Sequence, residues 1–138
     1  MNYLLDVNVL VAWGWEDHEH HELASRWIKV LKTSKADTKL FTCPITELGF
    51  VRVSMYRSSG QVTCHQAGRV LKTMLESLEN KHGFLRDEIT SYEWPKWCKG
   101  ASQTTDAHLL QLAENHGAVF ATLDKKIPRA YVIDGLQD

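Results

Sequence analysis

An α/β fold, with a central parallel sheet covered by helices on both faces, is predicted from three observations. Short apolar runs alternate with longer amphipathic stretches, those stretches repeat at three- and four-residue spacing, and acidic residues fall where the two meet. Tyr3-Leu4-Leu5 reaches Asp6 and the apolar character continues through Val7-Asn8-Val9-Leu10-Val11, so the whole stretch reads as a central strand buried on both faces. After Trp13-Gly14-Trp15, the polar run Glu16 to Glu22 leads into Leu23, Ala24, Trp27, Ile28, Val30 and Leu31, an amphipathic helix with an acidic first turn. Polar residues 34–39 close it. Leu40 to Cys43 is a second strand, stopped by Pro44, which lacks the N–H a sheet ladder needs. A helix opening at Thr46 carries Leu48, Val51, Arg52 and Met55; Ser58-Ser59-Gly60 turns the chain. Val62 to Leu78 is a further helix with Val70, Leu71, Met74, Leu75 and Leu78 on one face. Phe84 to Ile89 reads as extended, and the Trp-rich stretch 93–100 as a connection or short helix. A helix from Thr104 aligns Leu109, Leu110, Leu112 and Ala113 and ends at His116-Gly117. Ala118 to Ala121 is a strand running into Thr122-Leu123-Asp124, and Tyr131-Val132-Ile133 is the last.

Composition sets the frame for these elements. With 138 residues, 43% hydrophobic and 24% charged, residues 1–138 read as one folded domain, long enough to bury roughly two-thirds of its unfolded surface without disulfides or a structural metal. No apolar run approaches the ~20 residues of a membrane span, and Asp6 interrupts the N-terminal apolar patch too early for a secretory signal, so a cytoplasmic location is expected. Cys43, Cys64 and Cys98 are odd in number and lack CxxC spacing; reduced, buried thiols are expected rather than a disulfide framework or a thiolate zinc site. The formal charge of -1 excludes a protein that grips nucleic acid by its overall charge.

Four carboxylates hold the functional signal. Asp6 and Asp124 lie at strand C-termini, Glu47 and Asp106 in the first turns of helices. In a parallel sheet with helical crossovers, strand C-termini and helix N-termini share one edge, so the four acids converge on one crevice. Convergent carboxylates repel one another, and a cluster of them predicts a cation. An all-oxygen donor set favours Mg²⁺ or Mn²⁺ over zinc, and such a site suits phosphodiester hydrolysis. Each acid alone reads more readily as a surface or helix-turn carboxylate than as a ligand; Asp6, embedded among apolar residues, is the exception.

Taken together, Leu4-Leu5-Asp6-Val7-Asn8-Val9-Leu10, Pro44-Ile45-Thr46-Glu47-Leu48-Gly49-Phe50-Val51-Arg52, Thr105-Asp106-Ala107-His108-Leu109-Leu110-Gln111-Leu112-Ala113 and Ala121-Thr122-Leu123-Asp124 resemble a PIN domain. More narrowly, the chain resembles the VapC ribonuclease toxins of bacterial toxin–antitoxin pairs, and His21, Ala24 and Trp27 resemble an H-x-x-A-x-x-W pattern of that group. The resemblance implies a PIN-like three-layer α/β/α fold and a Mg²⁺/Mn²⁺ site of Asp6, Glu47, Asp106 and Asp124, supported by hydrogen bonds from Asn8 and Thr122. It also implies an RNA substrate, a homodimer, a cognate antitoxin across the active-site groove, and Arg52 near that groove. A long guanidinium at position 52 reaches toward phosphate, and Lys125, with Lys126, directly follows a proposed ligand. Basic residues in loops, Arg57 and Arg129 included, are otherwise simply solvated.

Competing readings attach to particular residues. His18, His20 and His21 admit a zinc site, although an exposed polar first turn explains them without metal. Trp94 and Trp97 suit base stacking, with Lys96 and Lys99 on phosphates, or else core or dimer packing. A haloacid-dehalogenase-like phosphatase would also place an Asp after the first strand, but its second acid is replaced here by Asn8, which cannot exchange a proton at neutral pH. A catalytically silent PIN-like binding module is the remaining alternative.

Overall fold

The computed structural model describes residues 1–135. Five parallel strands, β1 (Tyr3–Leu5), β2 (Leu40–Thr42), β3 (His82–Phe84), β4 (Val119–Thr122) and β5 (Tyr131–Val132), form one sheet in the order β3-β2-β1-β4-β5. Five α-helices accompany them: α1 (Val7–Gly14), α2 (His21–Thr33), α3 (Pro44–Arg57), α4 (Cys64–Glu76) and α5 (Thr104–Asn115). Connections from β1 to β2 to β3 step outward in one direction, while α5 returns the chain to the other side of β1. Because such crossovers are right-handed, the two directions put their helices on opposite faces. Side-chain alternation along β1 matches this: Tyr3 and Leu5 join a core with residues of α1 to α4, whereas Leu4 joins Phe120 and the α5 residues Leu109, Leu110, Leu112 and Ala113. The result is the three-layer α/β/α arrangement expected from the sequence.

The first apolar run departs from the expectation. It is a three-residue strand followed at once by an eight-residue helix, not one strand. Asp6 makes the switch: its N–H completes the sheet ladder to the Ala121 carbonyl at 2.9 Å, and its carboxylate then caps the Val7 N–H at 2.7 Å. Val9, Leu10, Val11 and Ala12 are all buried, so α1 lacks a polar face and its sequence reads like a strand. Likewise α2 begins only at His21, leaving residues 16–20 as turns and Glu22 as the acid of its first turn.

Other boundaries shift for local reasons. Pro44 both stops β2 and opens α3 at its first position, where no N–H is required. Helix α4 starts at Cys64 because Thr63 caps it, accepting the Gln66 N–H at 3.1 Å while Gln66 accepts the Thr63 N–H at 2.9 Å. Leu71, Leu75 and Leu78 of its predicted face are buried, but Val70 is exposed. At the end of α5, Gly117 takes φ +66° and lets the Ala118 N–H reach the Ala113 carbonyl at 2.9 Å. All three cysteines are free, yet only Cys43 is buried; Cys64 is exposed, since its position at the start of α4 faces solvent. Trp97 packs against the α5 core, whereas Trp94 stays exposed. Trp27 lies against Tyr131 and meets Tyr3 edge-on, ring centroids 5.8 and 5.0 Å apart, joining α2 to β1 and β5.

Gly49 fixes how closely α3 approaches α1. A β-carbon there would stand 2.4 Å from Cγ2 of Val7, a stiff β-branched side chain at the start of α1. Alanine normally improves a helix interior, but here overpacking dominates: Gly49→Ala should lower stability by about 1–3 kcal/mol in urea unfolding. Adding Val7→Ala should restore much of that loss relative to Val7→Ala alone.

Candidate functional site

The sheet order reverses direction between β1 and β4, and their C-terminal ends open the crevice where ligands of such sheets bind. Asp6 follows β1 immediately and is 6% exposed. Its Oδ1 accepts the Val7 N–H at 2.7 Å and its Oδ2 accepts the Thr122 hydroxyl at 2.7 Å. That hydroxyl in turn accepts the Asn8 amide N–H at 3.2 Å and the Asp124 backbone N–H at 3.0 Å, so its one proton and both lone pairs are used. Asn8 completes the bridge by accepting the Leu123 N–H at 3.1 Å. The end of β4 and the start of α1 are thus tied together through Asp6, Asn8 and Thr122.

Asp106, in the first turn of α5, and Asp124, two residues beyond β4, share the electrostatic field of Asp6. Burial is the largest influence on Asp6 and pushes its pKa up to about 6; Asp106 and Asp124 add to the rise, while the Thr122 and Val7 hydrogen bonds oppose it. Asp106 is also raised, first by burial and then by Asp124. Asp6 and Asp106 line a groove of about 390 Å³ with Asn8, His18, Arg52 and Arg57. A larger surface cavity of about 560 Å³ follows the C-terminal half of α5 past Arg86, Tyr92 and His116 and holds none of the four acids.

Glu47 stands apart from this trio. It lines a separate cavity of about 420 Å³ with Lys72, Glu76, Glu79 and His82, and its Oε2 accepts the buried Thr42 hydroxyl at 2.7 Å. The same Thr42 oxygen lies 2.8 Å from His82 Nε2. Since the hydroxyl proton goes to Glu47, His82 must be the donor, which places a proton on Nε2. Burial holds His82 below its ordinary pKa, although Glu47 pulls it upward. Among the described residues, no three His, Cys, Asp or Glu side chains stand ready to enclose a metal. In donor chemistry, though not in a ready-made cage, the Asp6, Asp106 and Asp124 trio suits a hard cation: all its donors are oxygens, and Asp6 and Asp106 carry raised pKa values that a nearby positive charge would relieve.

The remaining candidates divide. Arg52 is exposed on the groove wall, whereas Lys125 sits exposed in the turn after Asp124. His21 is a structural staple, its Nδ1–H donating to the Ala12 carbonyl at 2.8 Å and fastening α2 to α1. His18 accepts the His20 N–H on Nδ1 at 3.0 Å and lines the groove. Thr42 and His82 escaped the sequence reading, because nothing in their spacing signals contact with Glu47. His18 entered it as a zinc-ligand candidate or a polar turn residue, and Arg57 only as a loop cation.

The parallel sheet and its carboxylate edge define a member of the PIN domain family, to which the chain belongs by a match over residues 3–133. Within that family it groups with the VapC proteins. It is 38% identical over 124 residues to Ribonuclease VapC38 of Mycobacterium tuberculosis (strain ATCC 25618 / H37Rv), covering 88% of this chain and 84% of the relative. Against Ribonuclease VapC39 of M. tuberculosis (strain CDC 1551 / Oshkosh) the identity is 35% over 128 residues, covering 90% and 89%. Ribonuclease VapC29 of the same CDC 1551 strain is 34% identical over 125 residues, covering 90% and 86%.

The Asp6 environment sets a pH dependence whose sign follows from its raised value. Raised from 3.8 to about 6, Asp6 holds its proton more tightly folded than unfolded. Its favourable contribution is therefore complete below about pH 4 and is lost as pH rises through about 6, reaching roughly 3 kcal/mol. Asp6→Asn should melt higher than the parent above about pH 7 in EDTA, with the advantage vanishing near pH 4. Thr122→Val should move the Asp6 carboxyl titration, followed by NMR, still higher. It should also cost about 1–3 kcal/mol, because the Asn8 and Asp124 donors lose their acceptor.

Proposed function

We propose that the protein is a divalent-cation-dependent endoribonuclease, the toxin of a toxin–antitoxin pair, with Asp6, Asp106, Asp124 and Glu47 as its Mg²⁺ or Mn²⁺ ligands. The observation that carries this reading is the carboxylate trio around buried Asp6 in a chain at least 34% identical, over nearly its full length, to proteins named Ribonuclease VapC. When bound, a divalent cation supplies Lewis acidity and lowers the pKa of water, the chemistry phosphodiester hydrolysis needs at neutral pH.

The protein's own residues prepare that chemistry. Thr122 and the Val7 N–H hold Asp6 in one orientation before any ligand arrives. Asn8 fixes Thr122 in turn, and its engaged amide offers no proton exchange, which argues against a phosphatase reading of Asp6. Asp106 stands at the positive end of α5, whose dipole opposes the burial and the Asp124 charge that raise its pKa. Glu47 is the fourth carboxylate of the proposal and must be released from Thr42 to serve. Arg52 and Lys125 contact the RNA backbone, which a chain of charge -1 cannot hold by overall attraction. The single domain acts as a cytoplasmic homodimer inhibited by a cognate antitoxin; no described helix is long and apolar enough to cross a membrane.

Purified Asp6→Asn and Asp106→Asn should each lose Mg²⁺- or Mn²⁺-dependent RNA cleavage by more than the roughly 100-fold typical of outer-shell substitutions, while keeping the parent circular dichroism spectrum. Cleavage products should carry a 5′-phosphate and a 3′-hydroxyl. Full activity in either variant would overturn the assignment.

A further inference from the structure

The groove beside Asp6 and Asp106 has a second wall, built by the end of α3 and the turns after α1. Arg57, the last residue of α3, is anchored there on two sides. Its guanidinium carbon lies 5.1 Å above the Trp15 ring, and its Nη2 donates to Asp17 at 3.1 Å. Trp15 is itself fixed, donating from Nε1 to the buried Ser54 at 3.0 Å, one turn before Arg57 on the same helix. A long, flexible cation is therefore held in place by its own helix through an aromatic ring.

A surface ion pair alone would not require this mounting, and Asp17 is too exposed (74%) to neutralise Arg57 strongly. Asp17 occupies one of five guanidinium N–H donors, leaving a fork able to grip a phosphate. Neighbouring His18 feels the same charge: burial first, and Arg57 next, hold its pKa below the ordinary value. The groove floor is acidic, so a phosphate chain entering it needs cations on the wall. Trp15 carries the guanidinium on its face and is not free on that side to stack a base, so the contact reads backbone rather than sequence.

We propose that Arg57 is a substrate-binding residue gripping a backbone phosphate of single-stranded RNA in the Asp6–Asp106 groove, with Trp15 and Asp17 as its positioning residues. The substrate class rests on the ribonuclease reading above; the role of Arg57 does not require that a metal be bound.

The test is fluorescence-anisotropy binding of two labelled 20-nucleotide RNAs, one oligo-uridine and one of mixed sequence, to the full chain in EDTA across a salt series. Arg57→Gln should weaken both RNAs equally, by about five- to tenfold near 50 mM salt, and reduce the slope of log K against log salt by about 0.7. Arg57→Lys should keep the slope and recover only part of the affinity. Trp15→Leu should weaken binding in the parent but add no further loss to Arg57→Gln, and in cleavage Arg57→Gln should raise KM with little change in kcat. No RNA binding by the unaltered protein, unchanged affinity and slope in Arg57→Gln, or a fully additive Trp15→Leu effect would overturn the proposal. If Asp6→Asn abolishes cleavage while Arg57→Gln leaves binding and KM unchanged, the Arg57 assignment alone falls. If Arg57→Gln weakens binding while Asp6→Asn still cleaves, the metal-site reading alone falls.

Discussion

One hydroxyl organises the carboxylate edge of this protein. Thr122 donates to Asp6 and accepts from both Asn8 and Asp124, so a single side chain at the end of β4 fixes the residue that ends β1, the first turn of α1 and the loop that carries the third acid. With its hydrogen-bonding capacity used up, the hydroxyl cannot rotate without breaking one of these links. A buried network this fully satisfied is rigid, and rigidity is what a set of mutually repelling carboxylates requires if it is to stay assembled.

Packing and electrostatics act in opposite directions around that hydroxyl. Gly49 admits α3 close to Val7, the residue next to Asp6, and burial is the main reason Asp6 resists ionisation. The folded state therefore carries an unfavourable charge at neutral pH, offset by the two apolar cores on either side of the sheet. Strained electrostatics inside a well-packed frame are typical of functional sites, where a ligand of opposite charge recovers the cost. Glu47 turns away to Thr42, accepting its hydroxyl outside the crowded trio.

Much of the fold was legible in the sequence. All five strands fall within stretches read as extended or immediately beside one, and the Leu-rich face of α5 and its glycine stop were clear from spacing alone. The failure at Val7 has a physical cause: a helix buried on most sides carries the same apolar run as a buried strand, and only Asp6, acting as a cap, separates the two. For the candidate site, placement of acids relative to element ends located Asp6, Asp106 and Asp124 near one edge, because topology alone determines that edge. Side-chain direction was not legible. Whether Glu47 faces the trio or Thr42, and whether Arg57 floats in solvent or rests on Trp15, depends on contacts between residues with no periodic relation in sequence.

The bond between Thr122 and Asp6 joins residues 116 positions apart. During synthesis the chain emerges from its N-terminus, so Asp6, α1 and the β2–β3 half of the sheet are available long before β4 exists. Until Thr122 arrives, Asp6 has neither its hydroxyl partner nor the neighbouring Asp124, and β1 has pairing on one edge only. Completion of the acidic crevice is therefore a late event in translation, and a truncated or still-growing chain lacks it. The order of the strands therefore delays assembly of the carboxylate edge until nearly the whole chain has been made.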